Sequence, residues 1–240
     1  KLLASKHEFV AICENKYLMY KHFEDKIEVP EFYLVKTITE LIEAAEKLGY
    51  PEKDVVFKPP EGKGARGVRV LTEKSDRYDL LFNGRPFAKF ISMDELKSTV
   101  EEKEIPPLMI MEYLDGVELK IDPVLQNGEI LTCSVKNRLN FASGLAMGFE
   151  MIEDNVALDY AKKLLQYLPM DYCIDISTRG GVLMEINPRV STYIYGENYC
   201  APYLSLKLAM GEMTADEVRN YQKELPIGKK MFRYYGQIDY

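Results

Sequence analysis

The segment Leu183-Met184-Glu185-Ile186-Asn187-Pro188-Arg189 carries the strongest signal in this 240-residue chain. Its alternation of apolar and polar residues predicts a β-strand, on which the side chains of Glu185 and Asn187 point to the same face. Their carboxylate and amide oxygens are hard ligands of the kind that Mg²⁺ prefers. Arg189 adds a cation directly after them. The segment therefore predicts a metal site on a strand, with a positive charge beside it.

The strand that precedes residues 179–181 is predicted to pair with this one in a β-hairpin. If these three residues form the loop, Asp175 lies directly opposite Glu185 and becomes a third oxygen ligand. A register shifted by one residue places Asp175 opposite Met184 and turns it to the other face. The apolar residues of the two strands share one face in the first register, which we therefore prefer. A solvated hairpin with acids on its outer face is the alternative, and the Asn-Pro-Arg that follows argues against it.

A glycine-rich loop, residues 59–67, lies between two predicted strands. Its glycines fit G-x-G-x-x-G, but a strand follows where a dinucleotide fingerprint needs a helix, and no Gly-Lys-Ser/Thr completes a Walker loop. A hairpin loop of this kind can fold its backbone amides over a triphosphate. Lys58 at the end of the first strand, together with Lys63 and Arg66 in the loop, supplies positive charge. A surface lysine beside a plain turn is the alternative.

The segment 111–118 reads Met-Glu-Tyr-Leu-Asp-Gly-Val-Glu and predicts a strand that runs into a tight turn and ends in an acid. Such a segment can present main-chain groups to an adenine edge, while the carboxylate after the turn accepts ribose hydroxyls. Strand, turn and acid also recur in many proteins without a nucleotide. This pattern indicates a nucleotide site only in combination with the predicted metal site and the glycine-rich loop.

Composition excludes several classes of protein. The net charge of −7 and pI near 5.1 argue against a surface for duplex nucleic acid, and we expect no nucleic-acid partner. With only His7 and His22, a three-histidine metal site is impossible. No run reaches the roughly 18 apolar residues of a membrane span, and the first residues lack a signal-peptide core. We therefore predict a soluble, cytoplasmic protein without a membrane partner.

Helical and strand patterns are interleaved as hairpins with flanking helices, which predicts an α+β fold. The helix capped by Thr37 is predicted to bury Leu41, Ala44, Ala45 and Leu48. The helix capped by Asp154 is predicted to bury Val156, Tyr160, Leu164 and Leu168. Asn127-Gly128 predicts a type I′ hairpin turn. Pro106-Pro107 is the predicted boundary between two lobes.

Taken together, these motifs resemble the ATP-grasp superfamily, and within it stand-alone relatives of the carbamoyl-phosphate synthetase large subunit. The likeness spans residues 15–211 and rests on five motifs in the family's order. They are Lys16 in Glu-Asn-Lys, Lys58 in Phe-Lys-Pro-Pro, the loop from Glu61 to Gly67, the segment 111–118, and Glu-Ile-Asn-Pro-Arg at 185–189. Residues 198–212 resemble the helix that closes such domains.

The resemblance implies an ATP-grasp fold of two α+β lobes that grip MgATP between them. It divides the chain into a leading helical segment, residues 1–29, packed on the C-terminal lobe, a small lobe with the glycine-rich flap, residues 30–107, and a large lobe, residues 108–240. The large lobe would hold the adenine hinge and the metal site.

The resemblance also implies a role for each motif. Lys16 and Lys58 would contact the ATP phosphates and adenine side, and Lys58 and Arg189 would be catalytic, with Arg189 facing the acceptor or the transferred phosphate. The flap residues over the triphosphate would be Gly62, Lys63, Gly64, Ala65, Arg66 and Gly67. Met111 and Leu114 would give main-chain bonds to adenine, Glu112 would sit at its amino edge, and Glu118 would hold the ribose. Asp175, Glu185 and Asn187 would bind one or two Mg²⁺, with Mn²⁺ as a substitute.

The implied activity is that of an ATP-dependent ligase, which activates a carboxylate as an acylphosphate for attack by an amine or a thiol. The expected partners are these small molecules and an N-terminal α/β domain of the same protein, and a homodimer is one possible assembly. Two alternatives stay open: a nucleotide-binding regulatory or accessory module, and a small-molecule kinase. A protein kinase is disfavoured because the chain has neither His-Arg-Asp nor Asp-Phe-Gly.

Overall fold

The computed structural model describes residues 3–62, 66–74, 89–101, 103–139, 141–142, 145–192 and 195–232. Within these residues the chain has the predicted α+β character, with antiparallel sheets and flanking helices. Among the helices of these ranges, none combines the length and apolar character that crossing a membrane requires.

Helices and strands alternate irregularly along the described residues. The helices are α1 His7–Glu14, α2 Lys16–Phe23, α3 Ile38–Lys47, α4 Met93–Val100, α5 Asn155–Tyr167, α6 Ala201–Met210 and α7 Ala215–Asn220, followed by a 3₁₀ turn at Tyr221–Glu224. The strands are β1 Phe32–Val35, β2 Val55–Lys58, β3 Arg69–Leu71, β4 Phe90–Ile91, β5 Leu108–Glu112, β6 Glu118–Gln126, β7 Glu129–Arg138, β8 Phe141–Ala142, β9 Leu145–Ala146, β10 Gly148–Ile152, β11 Tyr172–Cys173, β12 Asp175–Arg179, β13 Val182–Asn187 and β14 Lys230–Phe232.

The chain divides into two compact units. We call residues 15–21 and 29–114 the small unit, and residues 1–14, 22–28 and 115–240 the large unit. The small unit contains a five-stranded sheet in the order β1-β5-β2-β3-β4. Strand β5 pairs with β1 on one side and β2 on the other, although the sequence analysis assigned it to the large lobe. Its hydrogen bonds to both neighbours place it in the small unit, so the predicted boundary at 107 falls one strand too early.

Helix α3 packs its predicted face into the core of the small unit. Thr37 caps the helix, because its hydroxyl accepts a hydrogen bond from the backbone N–H of Glu40. The four residues predicted to be buried, Leu41, Ala44, Ala45 and Leu48, are all buried. They contact a core shared with the strands of this sheet. Fully burying one such leucine contributes about 1.5–3 kcal/mol.

The large unit is built on a seven-stranded sheet in the order β13-β12-β6-β7-β10-β14, with β11 paired to β6. Strands β6 and β7 are joined at Asn127-Gly128, where both residues have positive φ, 52° and 81°. This is the backbone that a type I′ turn requires, as predicted. The turn therefore forms the central hairpin of the sheet that carries the candidate site.

Helix α5 begins at its predicted cap, since Asp154 accepts a hydrogen bond from the N–H of Ala157. The predicted burial of Leu164 and Leu168 is confirmed and Tyr160 is half-buried, but the prediction for Val156 is wrong. Val156 is 79% exposed, and the helix buries Ala157, Ala161, Leu164 and Leu165. Leu164, Leu165 and Leu168 lie on one side of the helix. Ala161 and Ala157, one and two turns earlier, lie on that same side, whereas Val156 does not.

The hairpin of β12 and β13 has a different register from the one predicted. Its loop contains only Gly180 and Gly181, and a bulge between Ser177 and Thr178 shifts the pairing, so that Asp175 faces Asn187. The prediction that Asp175 faces Glu185 is therefore wrong. The face was predicted correctly, because residues opposite each other in an antiparallel pair share one face. Sequence alternation fixes a side chain's face, whereas the bulge fixes its partner.

Candidate functional site

One face of the large unit's sheet is lined by polar and charged side chains. On β6 and β7 these side chains occupy every second position, as strand geometry requires: Glu118, Lys120, Asp122, Ser134, Lys136 and Arg138. The two sets face each other because a bulge near Leu125 adds one residue to β7 and pairs Lys120 with Lys136 and Asp122 with Ser134. Strand β12 extends the face, with Ser177 opposite Lys120.

The three predicted metal ligands come together on this face. The Nδ2 amide of Asn187 donates to Oε1 of Glu185 at 3.1 Å and to Oδ2 of Asp175 at 3.4 Å. Asp175 is buried, whereas the side chain of Glu185 is 37% exposed. The cluster therefore has one oxygen-bearing side chain at the floor of the face and one at its solvent edge.

Two cations reach the same cluster. The ammonium of Lys120 lies 3.2 Å from Oδ1 of Asp175 and 3.8 Å from Oε1 of Glu185, and it also donates to Oγ of Ser177. The guanidinium of Arg189 lies 3.7 Å from Oδ2 of Asp175, and its side chain is 60% exposed. Asp175 is thus contacted by cations on two sides.

A divalent ion would find a limited set of ligands here. Within the described residues, no group of three histidine, cysteine, aspartate or glutamate side chains is arranged to hold a metal. Glu185 and Asn187 nevertheless offer one carboxylate and one amide oxygen. Such a pair fits Mg²⁺, which proteins usually hold by one or two side chains together with substrate phosphates and water rather than in a complete protein cage.

Glu118 lies between two arginines on the same face. Arg138 donates to its Oε1 at 2.5 Å and Arg179 to its Oε2 at 2.8 Å, and all three side chains are largely buried. Charge-assisted hydrogen bonds to both oxygens fix the orientation of the carboxylate. Glu118 was predicted as a ribose contact, and the structure adds the two guanidinium groups that position it.

A second ion pair lies deeper in the face. The ammonium of Lys136 is 2.7 Å from Oδ2 of Asp122 and donates to the main-chain oxygen of Thr192 at 2.5 Å. Burial raises the pKa of Asp122 from 3.8 to about 6, an effect that Lys136 opposes and the negative charge of Asp175 reinforces. This buried pair lies close enough to Asp175 for the charges of Asp122 and Asp175 to interact.

In the small unit, Lys58 and Lys16 lie beside the glycine-rich loop. Lys58 ends β2, is 8% exposed, and its ammonium lies 5.6 Å from the ring centroid of Tyr20. The ammonium of Lys16 donates to the main-chain oxygen of Gly62 at 2.9 Å, and its backbone N–H donates to the oxygen of Pro60 at 2.9 Å. The first turn of α2 thereby holds the start of the loop.

The middle of the loop, Lys63, Gly64 and Ala65, lies outside the described residues. The next two residues, Arg66 and Gly67, are among the described residues, and both are exposed. The role of these five residues stays a prediction.

The predicted adenine segment begins on β5, an inner strand of the small unit's sheet, and continues beyond the end of that strand. Met111 faces Phe32 on β1 and Val56 on β2, so its main chain lies inside the sheet. Glu112 is bound to Glu31, since its N–H donates to the oxygen of Glu31 and its Oε2 accepts from the N–H of Glu31. Leu114 is half-buried and lies beyond the end of the strand. This arrangement favours Leu114 over Met111 for main-chain contacts to a ligand.

A family model described as "ATP-grasp in the biosynthetic pathway with Ter operon" matches residues 104–229, more than half of the 240 residues. The chain belongs to the ATP-grasp family. The match includes the segment 111–118 and the strand that carries Glu185 and Asn187, so it covers two of the motifs on which the resemblance rests.

Among curated proteins, this ATP-grasp chain is similar to carbamoyl phosphate synthase large chains. That of Methanobrevibacter smithii is 25% identical over 241 residues, which span 94% of this chain and 22% of the relative. That of Pseudothermotoga lettingae is 29% identical over 131 residues, 54% of this chain and 10% of the relative. The chain thus spans less than a quarter of the length of these relatives.

Solved structures support the ATP-grasp fold. N5-carboxyaminoimidazole synthase from Aspergillus clavatus, in complex with ADP and 5-aminoimidazole ribonucleotide, aligns with a TM-score of 0.65 and 16% identity over 90% of this chain and 56% of that one. D-alanine–D-alanine ligase from Bacillus anthracis aligns with a TM-score of 0.51 and 17% identity over 92% of this chain and 69% of that one. At these identities the likeness concerns the fold of the ATP-grasp chain.

Sequence reasoning missed the cations of the ATP-grasp chain's polar face. Lys120, Lys136, Arg138 and Arg179 were not singled out, although each contacts an acid of the candidate site. A signal was present, because β6 and β7 carry polar or charged residues at alternate positions, where a sheet face packed on a core would carry apolar residues. Two adjacent strands with this pattern predict a shared polar face.

Proposed function

We propose that the chain is the ATP-binding and catalytic part of an ATP-dependent ligase that activates a carboxylate as an acylphosphate. The observation that carries the proposal is the cluster of Asp175, Glu185, Asn187 and Arg189 on one sheet face in a chain that belongs to the ATP-grasp family. Oxygen ligands beside an exposed guanidinium are the groups that phosphoryl transfer requires.

In this proposal the protein contributes positions and charges rather than covalent chemistry. A carboxylate oxygen of the acceptor attacks the γ-phosphorus of ATP in line with the departing ADP, and the acylphosphate that forms is attacked by an amine or a thiol with release of phosphate. Lys58 and Arg189 neutralise charge on the transferred group. Mg²⁺, when bound, would neutralise phosphate charge, and Glu185 and Asn187 would hold it.

The remaining predicted residues have binding roles in the proposal. Glu118 accepts the ribose hydroxyls, in an orientation set by Arg138 and Arg179. Leu114 provides the main-chain contact to adenine, and Lys16, bonded to Gly62, positions the loop over the phosphates.

Calorimetric titration with ATP, with and without Mg²⁺, tests the binding part of the proposal. A phosphate-release screen over amino acids and small carboxylates, each with an amine or a thiol, tests the chemistry. A ligase yields ADP and free phosphate in equal amounts and only when both substrates are present. Phosphorylated product without free phosphate would indicate a kinase, and binding without turnover on any substrate pair would indicate a nucleotide-binding module.

A further inference from the structure

Lys120 is held in the candidate site by the pairing of the strands. It lies on β6 directly opposite Ser177 of β12 and Lys136 of β7, so its side chain leaves the sheet on the polar face between two neighbouring strands. The ammonium donates to Oγ of Ser177, and its side chain is only 12% exposed. Its location is therefore set by the sheet and by a hydrogen-bond partner outside the predicted ligand set.

From this location the ammonium reaches two of the three predicted metal ligands. It lies 3.2 Å and 3.3 Å from the two carboxylate oxygens of Asp175, and 3.8 Å from Oε1 of Glu185. Both oxygens of Asp175 thus face a fixed positive charge. A divalent ion that used Asp175 as a ligand would have to displace this ammonium or lie within a few ångströms of it.

The charges of the cluster also balance without a metal ion. Asp175 and Glu185 contribute two negative charges, and Lys120 and Arg189 contribute two positive charges within 4 Å of them. Divalent cation sites in proteins bind tightly when several uncompensated carboxylates surround the ion. The protein part of this site therefore has little net attraction for a free divalent ion.

We propose that Lys120 is a built-in counter-ion that occupies Asp175, so that a divalent ion is held by Glu185 and Asn187 and enters together with the phosphates of the nucleotide. The role of the nucleotide rests on the function proposed above. The competition between Lys120 and a free ion does not, because it concerns only groups of this chain.

Mn²⁺ binding without nucleotide, followed by electron paramagnetic resonance, tests the competition directly. The wild-type chain is compared with Lys120→Gln, which keeps hydrogen-bonding capacity but removes the charge, and with Lys120→Arg, which keeps the charge. We expect Lys120→Gln to bind Mn²⁺ at least about tenfold more tightly than wild type, because a unit charge is removed within a few ångströms of the ion. Lys120→Arg should bind as weakly as wild type. Equal affinities of wild type and Lys120→Gln would overturn the proposal.

A double variant shows whether the gain in Mn²⁺ affinity comes from Asp175 or from a general change in structure. Adding Asp175→Asn to Lys120→Gln should abolish the gain, since the freed carboxylate is its source. Thermal melts show which variants are folded, and Lys120→Met replaces Lys120→Gln if the latter is not. The affinity of the wild-type chain for Mn²⁺ without nucleotide is a further test. A Kd tighter than about 10 µM, which is in the range of dedicated cation sites, would contradict a site neutralised by Lys120.

Repeating the titration with a non-hydrolysable ATP analogue distinguishes failure of this inference from failure of the proposed function. We expect wild-type affinity for Mn²⁺ to rise at least about tenfold when the analogue is present, because the phosphates supply ligands and negative charge. If the analogue does not bind at all, the proposed function fails while the comparison of wild type with Lys120→Gln still stands. If the analogue binds and the lysine variants do not differ, the inference about Lys120 fails and the function stands.

Discussion

The ammonium of Lys136 and the carboxylate of Asp122 lie 2.7 Å apart on neighbouring strands, and neither side chain is more than 3% exposed. Both charges are removed from water, so each depends on the other for compensation. The main-chain oxygen of Thr192 provides a further hydrogen bond to the ammonium. This pair underlies the polar face of the large unit, and its removal tests whether that face is assembled as described.

Replacing one member of the pair should destabilise the protein strongly. Asp122→Asn leaves the buried ammonium of Lys136 without its counter-charge, and we expect a loss of about 3–5 kcal/mol in the free energy of unfolding. Urea denaturation followed by circular dichroism measures the loss. The double variant Asp122→Leu/Lys136→Met should lose less than the sum of the two single variants.

The matched control for this loss is an exposed ion pair. Lys162 lies 2.9 Å from Asp159, but the two side chains are 54% and 66% exposed. Lys162→Ala should cost less than about 1 kcal/mol. If Asp122→Asn cost as little as this control, the pair would not be buried as described.

The pKa of Asp122 predicts how stability depends on pH. Burial raises this pKa from 3.8 to about 6, despite the opposing charge of Lys136. Between these values the unfolded chain has an ionised Asp122 while the folded chain keeps the proton, so the contribution of this group to stability falls as pH rises from about 4 to about 6. Carboxyl ¹³C NMR, with Asp122→Asn for assignment, should show a midpoint near 6. A midpoint below 4 would show that the charge of Lys136 outweighs the desolvation of this carboxyl and would contradict the predicted direction of the pH dependence.

Replacing Gly180 and Gly181 by alanine tests how the hairpin turn between β12 and β13 packs. A Cβ atom at Gly180 would lie 2.5 Å from the main-chain oxygen of Asp115, whereas one at Gly181 would meet open space, and both glycines have positive φ, +57° and +86°. Gly181→Ala should therefore cost about 1–2 kcal/mol from backbone strain alone. Gly180→Ala should cost a further ~1–3 kcal/mol from the clash. Thermal or urea unfolding measures both, and equal losses would show that the turn does not pack on Asp115.

Lys58→Ala and Glu185→Ala test the proposed chemistry. Each removes a group that the proposed function assigns to the phosphates or the metal, and losing one such charge typically lowers turnover by about 100-fold or more. Phosphate release is measured with the substrate pair that gives the highest rate in the screen. The exposed residues Lys103 and Glu46 provide charge-matched controls, because Lys103→Ala and Glu46→Ala should retain wild-type rates. Wild-type turnover by either site variant, with its fold intact, would refute the proposed mechanism.

Local sequence signals predicted the elements whose geometry depends on a few neighbouring residues. The Asn127-Gly128 turn and the caps at Thr37 and Asp154 formed as expected, because each is set by backbone preference or by a hydrogen bond within a few residues. The buried face of α3 was also correct. The face of α5 was correct at Leu164 and Leu168 but not at Val156, which is exposed.

The register of the β12–β13 hairpin shows where local signals end. Alternation correctly placed Asp175 and Asn187 on one face, but their direct pairing depends on a two-residue loop and a bulge. A bulge adds one residue to one strand and shifts the pairing beyond it, and the alternation of apolar and polar residues does not reveal this shift. In the same way, β5 could be recognised as a strand from its sequence, but its partners β1 and β2 could not.

The order of amino acids was enough to predict which chemical groups this protein carries and which residues of a strand share one face, because side-chain identity and a two-residue period do not depend on distant neighbours. On that basis it predicted the acid, amide and cation at residues 185–189, whereas the ATP-grasp family was inferred from the resemblance of five motifs. Which charged side chains contact each other became clear from the folded sheet. Lys120 reaches Asp175 because the sheet order places β12 beside β6, with Ser177 directly opposite Lys120. Contacts between residues so far apart in the chain arise from packing of the whole sheet.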